Sequence, residues 1–211
     1  MDIRTIVADL YTNAAHSVYG LPATTESFDE NATLDAERKI KERATRVTIS
    51  IKENKFWVAK PDAEHKQHGF VLGFEDKFTT VATLSRGFGR ICVSPDYSGC
   101  LFSVYEHNGT YKCCHTARGL GDKDVHVHAL REYAANQHWD LVHEVPTIND
   151  NLNGANGIEV NGCKATLVVT RISYNINPPV VRTVRLRMNS QYLSIHRVRW
   201  TTPVGGTPVV D

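Results

Sequence analysis

Through the middle of the chain the apolar positions recur every second residue, or run together in short β-branched and aromatic blocks, which is the pattern of strands. Val47-Thr48-Ile49-Ser50-Ile51, Lys55–Val58, Gly69–Phe74 and Phe78–Leu84 all carry it, and Arg90–Val93 is a further strand, with Pro95-Asp96 read as a turn. Later strands are expected near Ile158–Val160, Lys164–Ser173, Val180–Met188 and Tyr192–Trp200. Helical spacing shows in fewer places. Ile3, Ile6, Val7, Leu10, Tyr11, Ala14 and Val18 predict a helix over residues 2–18, closed by Gly20 and Pro22. Leu34–Thr45 predicts a short charged helix. Val127–Val142 predicts another, with Leu130, Tyr133, Ala134, Gln137 and Leu141 facing inward. Residues 21–32 read as a linker, 146–157 as an Asn- and Gly-rich loop, and 201–211 as a fraying tail. Trp57, Trp139 and Trp200 read first as core aromatics. Strands that cluster, with helices at the ends and middle, predict an α+β fold: a mostly antiparallel β-sandwich flanked by helices. The expected organisation is an N-terminal helical segment and linker (1–45), a single domain (46–200) and a flexible tail (201–211).

One hairpin is spelled out closely. Asn108-Gly109 stands between Leu101–Glu106 and Tyr111–Thr116, and Asn-Gly between strand-like runs marks a two-residue turn, since both positions need positive φ. His107 then pairs with Thr110, Phe102 with His115 and Cys100 with Ala117. Side chains alternate along a strand, so Cys100 and His115 become diagonal neighbours on one face, roughly 7–8 Å apart. A thiol beside an imidazole is the minimum set for a cysteine nucleophile.

Composition changes this picture only at the margins. With 211 residues, 41% hydrophobic and 22% charged, the chain is long enough for a sizeable core and ordinary in content. A net charge of +1 points to neither nucleic acid nor membrane as a partner of the whole molecule. No apolar run approaches membrane-spanning length, and the charged-then-apolar pattern of a Sec signal is missing. Five cysteines, with Cys113 and Cys114 adjacent, do not form a secreted disulfide framework. Reduced thiols and action in a cytosol are expected, with export by a dedicated injection machine left open. One asymmetry stands out: Lys164, Arg171, Arg182, Arg185, Arg187, Arg197 and Arg199 occur with no acid between Glu159 and Asp211. A solvated sheet face is the plainer account. The functional one is a docking surface for an acidic protein patch, built on Arg182, Arg185, Arg187 and Arg197. Little aromatic interleaving argues against nucleic acid.

Cysteine is most often a small buried hydrophobe, so Cys100 needs further support as a nucleophile. Gly99 supplies some, because a missing side chain lets a carbonyl and its backbone donor approach closely. An imidazole on the same face supplies more, by taking the thiol proton. Backbone N–H groups near Cys100 are the natural oxyanion donors. Cys113 shares the face of His115 and is a weaker alternative nucleophile, while Cys114, Ser103 and Tyr105 point away. Cys163 follows Asn161-Gly162 in an expected turn. His126-Val127-His128 with Cys113 and Cys114 fits no common zinc spacing, Gly87-Phe88-Gly89 is too short for a phosphate loop, and no Gly-x-Ser-x-Gly elbow occurs. No metal or cofactor is expected.

Tyr97-Ser98-Gly99-Cys100, with His115-Thr116 fifteen positions after the cysteine, resembles the catalytic segment of the cytotoxic necrotizing factor deamidases. It is also similar to Burkholderia lethal factor and, more distantly, to the chemoreceptor glutamine deamidases. The likeness covers residues 94–118, and its specific part is Ser-Gly-Cys…His. It implies an α/β-sandwich and hydrolysis of a protein glutamine side chain to glutamate, with Cys100 as nucleophile through a thioester and His115 as base and then acid. Some relatives also transfer the acyl group to amines. Lethal factor places a threonine hydroxyl six residues before its cysteine, where this chain has Ser94; necrotizing factors use an upstream backbone carbonyl that no motif locates. The expectation is a monomeric toxin or effector acting in a host cytosol on a small GTPase or a translation factor. Two alternatives stand beside it: another thiol amidase or peptidase, and a non-enzymatic binding module with an unreactive Cys100.

Overall fold

The computed structural model describes residues 17–18, 30–52, 55–59, 69–87, 90–97, 100–118, 124–146, 163–175, 177–189, 193–201 and 209–210. Its strands are β1 (Ser17–Val18), β2 (Glu30–Asp35), β3 (Ile40–Lys52), β4 (Lys55–Ala59), β5 (Gly69–Leu72), β6 (Thr79–Leu84), β7 (Ile91–Tyr97), β8 (Leu101–His107) and β9 (Thr110–Thr116). The helix α1 (Val125–Asn136) follows, then β10 (Asp140–Pro146), β11 (Cys163–Ser173), β12 (Val180–Asn189), β13 (Leu193–Thr201) and β14 (Val209–Val210). All belong to one mixed sheet with the order β10-β8-β9-β6-β3-β5-β7-β11-β12-β13-β14, while β2 and β4 pair with β3, and β1 with β4. The pairs β3/β6, β5/β7 and β1/β4 are parallel and the rest antiparallel. The strand-rich, largely antiparallel character expected of the α+β fold is present, as a curled mixed sheet with one helix among the described residues.

The sheet curls on itself. Its interior holds one apolar cluster drawn from β3 through β12, including Ala44, Phe70, Leu72, Leu84, Cys92, Phe102, Val104, Cys113, Val168, Ile172 and Val181. Two polar contacts cross that interior between strands that are not sheet neighbours. His115 on β9 meets Ser94 on β7, and His143 on β10 meets Thr183 on β12. On the outer face α1 buries Val127, Leu130 and Ala134, and Leu130 and Ala134 pack with Ile40, Val81, Tyr105 and Cys114, against which Trp139 also leans.

The hairpin forms as its sequence demands. Asn108 (φ 50°) and Gly109 (φ 76°) make the turn, and the register pairs His107 with Thr110 and Phe102 with His115. Gly109 N–H donates to Glu106 Oε1 at 2.6 Å, closing the loop.

Several expected elements fall differently. Leu34–Thr45 is not a helix: it spans the end of β2, a turn at residues 36–39 and the start of β3. Asp35 Oδ1 accepts from Arg38 N–H at 2.8 Å and Lys39 takes φ 56°, so the chain reverses there. The segment is rich in helix formers, but β3 is paired along its length with β2, β4, β5 and β6, and such pairing outweighs local propensity. Ile40 and Ala44 are core residues, and β3 runs across the expected boundary at 45/46, so residues from Glu30 onward belong to the body of the sheet. Pro95-Asp96 lies inside β7 rather than in a turn. The β7/β11 register slips there, from Ser94↔Val168 to Tyr97↔Thr166, and an irregularity is where a proline fits a paired strand.

The helix predicted over Val127–Val142 stops at Asn136. His138 (φ 55°) and the bonds His138 N→Ala135 O (3.1 Å) and Trp139 N→Ala134 O (2.8 Å) form a Schellman closure without glycine. The chain beyond it becomes β10 and pairs with β8, which leaves Gln137 and Leu141 exposed, not inward. Ser17–Val18, expected in a helix, is a short strand, and Val209–Val210, expected to fray, pairs with β13. Residues 2–16, 21–29, 147–157 and 158–160 lie outside the described residues. Among the described residues no helix is long and apolar enough to cross a membrane.

Candidate functional site

The strand pairing places the expected site residues from the backbone outward. His115 sits near the end of β9, held between Phe102 of β8 and Thr80 of β6. Cys100 precedes β8 by one residue, two before Phe102, and joins Phe102 and Cys113 in the interior cluster. Residue 113 alternates in phase with 115, so the thiol of Cys100 and the imidazole of His115 belong to the same, inner side of the ribbon. Both are enclosed: Cys100 keeps 7% of its surface and His115 1%.

Ser94 supplies the third member. Its Oγ donates to the Leu72 carbonyl at 3.3 Å and lies 3.2 Å from His115 Nδ1. A carbonyl can only accept, so the serine proton goes to Leu72 and Nδ1 carries the proton that Oγ accepts. This chain assigns the imidazole proton to Nδ1 and leaves Nε2 as the basic nitrogen, turned away from Ser94. Thr80 Oγ1 adds a bond to the Gly73 carbonyl at 2.5 Å and reaches the His115 carbonyl at 3.5 Å, which fixes the backbone on both sides of the site. The Phe74 ring lies 5.2 Å from the imidazole, centroid to centroid, at a tilt of 46°.

Burial pushes the pKa of His115 down to about 3, so the ring is neutral near pH 7. A neutral imidazole can accept a proton but does not hold a standing thiolate beside it. A preformed thiolate–imidazolium ion pair is therefore not favoured here.

Cys113 and Cys114 are placed as inert groups. Cys113 is fully buried and shares a side-chain hydrogen bond with Cys92, and burial first, then Cys92, holds its pKa well above the ordinary value. Burial likewise raises Cys114, which faces α1 among Val81, Tyr105 and Leu130. Neither is a nucleophile at neutral pH. Ser103 and Tyr105 are in phase with Cys114, on the side away from His115. Among the described residues no three His, Cys, Asp or Glu side chains are grouped to hold a metal ion.

Gly99 lies outside the described residues. The arginine set does not form one row. Thr183, in phase with Arg185 and Arg187, is fully buried against His143, and Arg182, half-buried, is one residue out of phase with them. Arg185 pairs with Val198, so Arg197 is out of phase with Arg185 as well. The side chains of Arg185, Arg187 and Arg197 lie outside the described residues.

Three contributors carried no readable signal. The Leu72 carbonyl is backbone, and Phe74 stood in a run that read as strand. His143, whose Nε2 lies 2.7 Å from Thr183 Oγ1 with Thr170 Oγ1 a further 2.8 Å on, stood just past the end of the expected helix, where no strand was expected. Compared with known proteins, the chain matches no family model and no curated sequence.

Proposed function

We propose that this chain is a cysteine-dependent amidohydrolase that converts a glutamine side chain of a target protein to glutamate. The single observation that carries the reading is the linked set His115 Nδ1–Ser94 Oγ–Leu72 O on the inner side of the ribbon that also bears Cys100. It fixes the tautomer a general base needs, and Ser94 stands six residues before Cys100, where the resemblance to lethal factor expects an orienting hydroxyl. The choice of glutamine rests on the Ser-Gly-Cys…His resemblance. In the proposed chemistry Cys100 Sγ attacks the amide carbon while Nε2 takes the thiol proton. The tetrahedral intermediate collapses with that proton passing to the leaving ammonia, and water, deprotonated by Nε2, releases glutamate and restores the thiol. A sandwich-type deamidase ancestry, action as an effector in a host cytosol, and a small GTPase or translation factor as target all belong to the same proposal.

The test is mass spectrometry of purified small GTPases and a translation-initiation helicase after exposure to the protein. A gain of about one dalton on one glutamine, abolished by Cys100→Ser, supports the proposal; no gain on any of them overturns it.

One observation favours a second reading. The near-complete enclosure of Cys100 and His115 also suits a binding module in which both are interior packing. In that case Cys100 resists neutral iodoacetamide, and His115→Ala does not alter its rate of labelling.

A further inference from the structure

Phe74 is one of three exposed large apolar residues among the described ones, the others being Val125 and Leu141. It keeps 37% of its surface, whereas the imidazole it leans on keeps 1%. The aromatic ring is thus the exposed member of a tilted ring pair whose other member is the candidate base.

The backbone under Phe74 is tied on every side. Gly73 N–H donates to the Arg43 carbonyl at 3.1 Å, and the Gly73 carbonyl accepts from Thr80 at 2.5 Å. Phe78 N–H returns to the Glu75 carbonyl at 3.2 Å across a turn that Lys77 closes with φ 63°. Both Lys41 and Arg43 grip the Glu75 carboxylate, and Lys41 Nζ stands 4.3 Å over the Phe78 ring. A turn held this firmly leaves rotation of the Phe74 side chain as the local freedom at this corner. Side-chain rotamer changes of exposed residues are fast, on the order of picoseconds to nanoseconds.

We propose that Phe74 is the shield of the Cys100–His115–Ser94 site: its ring keeps water off the imidazole and swings to form the apolar wall along which the methylenes of an incoming glutamine side chain lie. The substrate half of this inference rests on the glutaminase reading, and the shielding half stands without it. Aromatic rings suit the role because they cover a large area with only two rotatable bonds. Two methylenes precede the amide of glutamine, and an apolar wall favours their burial while the amide carbon reaches the sulfur.

The experiment compares Phe74→Ala and the milder Phe74→Leu with Leu141→Ala, which removes an exposed apolar residue from β10, remote from the imidazole contact. Two readouts need no target. Peptide mapping after brief iodoacetamide treatment at pH 7 gives the labelling rate of Cys100, expected to rise about tenfold in Phe74→Ala, less in Phe74→Leu and not in Leu141→Ala. Long-range nitrogen–proton NMR follows His115 with pH: its titration is expected to move up from about 3 toward 6.5 in Phe74→Ala alone. If Phe74→Ala and Leu141→Ala agree on both measures, the shield is refuted. Should the glutaminase reading fail while both measures respond, the shield stands and its substrate role falls. With a deamidated target in hand, Phe74→Ala raises KM more than it lowers kcat; an unchanged KM refutes the wall.

Discussion

Acid should loosen this protein through two histidines. His115 and His143 are both held neutral by burial, with pKa values of about 3 and about 4 against an ordinary 6.5. Each crosses the interior of the curled sheet, to Ser94 and to Thr183. For a base whose folded pKa is depressed, the unfolded chain binds the proton more readily, so stability falls as pH drops below 6.5 and levels off only below the folded value. Working the two-state linkage from those values, each histidine costs roughly 2 kcal/mol at pH 5 and each costs about 3 kcal/mol at pH 4, relative to pH 7. Together that is about 6 kcal/mol at pH 4, comparable with the whole stability of an ordinary domain. Urea unfolding at pH 7, 6, 5 and 4 measures it. His143→Gln retains a group able to bond Thr183 but cannot titrate, and it should remove about half of the loss; His115→Gln should do the same. Carboxylates also contribute to the pH dependence, equally in all three proteins, so the difference between them isolates the imidazoles. Parallel curves for the native chain and both variants would refute the reasoning.

Two further outcomes follow from the same geometry. Ser94→Ala removes the acceptor for His115 Nδ1–H and should cost about 1–3 kcal/mol in thermal or urea unfolding; it should also lower turnover on any deamidated target roughly 10- to 100-fold, by analogy with orienting groups behind metal-bound histidines, with Ser94→Thr restoring most of it. Two glycines should respond unequally to alanine, read as the shift in melting temperature. At Gly69 a Cβ would meet the Ile91 carbonyl oxygen at 2.4 Å, backbone that cannot step aside, and the loss should approach about 3 kcal/mol. At Gly109 nothing lies within reach of the new atom, and only the positive φ of 76° is penalised, by about 1 kcal/mol.

The parts legible in the sequence were those settled by short-range rules. Asn108-Gly109 dictated both turn dihedrals, and with period-two alternation that fixed the register from His107–Thr110 to Phe102–His115. Ser94 was named only through the resemblance to lethal factor, whose orienting hydroxyl stands six residues before its cysteine, and the structure brings it to the imidazole. Illegible features depended on distant partners. Leu34–Thr45 has helical propensity, and only its pairing within the sheet, between β2 and β3 and with β5 and β6, makes it extended. Helix α1 ends at Asn136, closed by His138 in a left-handed conformation that usually marks itself with glycine; no glycine punctuates the stop, and the helical spacing reads on to Val142, into the start of β10. Curling was equally hidden, because alternation reports which face is apolar and not what that face meets. The buried Thr183 shows the consequence: it stands in phase with Arg185 and Arg187 along β12, and in the structure it faces His143 across the interior.

Ser94 and His115 stand on strands that have β6, β3 and β5 between them in the sheet order. Their meeting therefore depends on closure of the whole ribbon, since a chain with every local hairpin made but its ribbon still open would leave the imidazole without the Ser94 hydroxyl that orients its proton. The tautomer of one ring thus registers global closure, and damage at a far seam, such as the one where His143 of β10 meets Thr183 of β12, would undo the pairing of Ser94 with His115 without touching either residue.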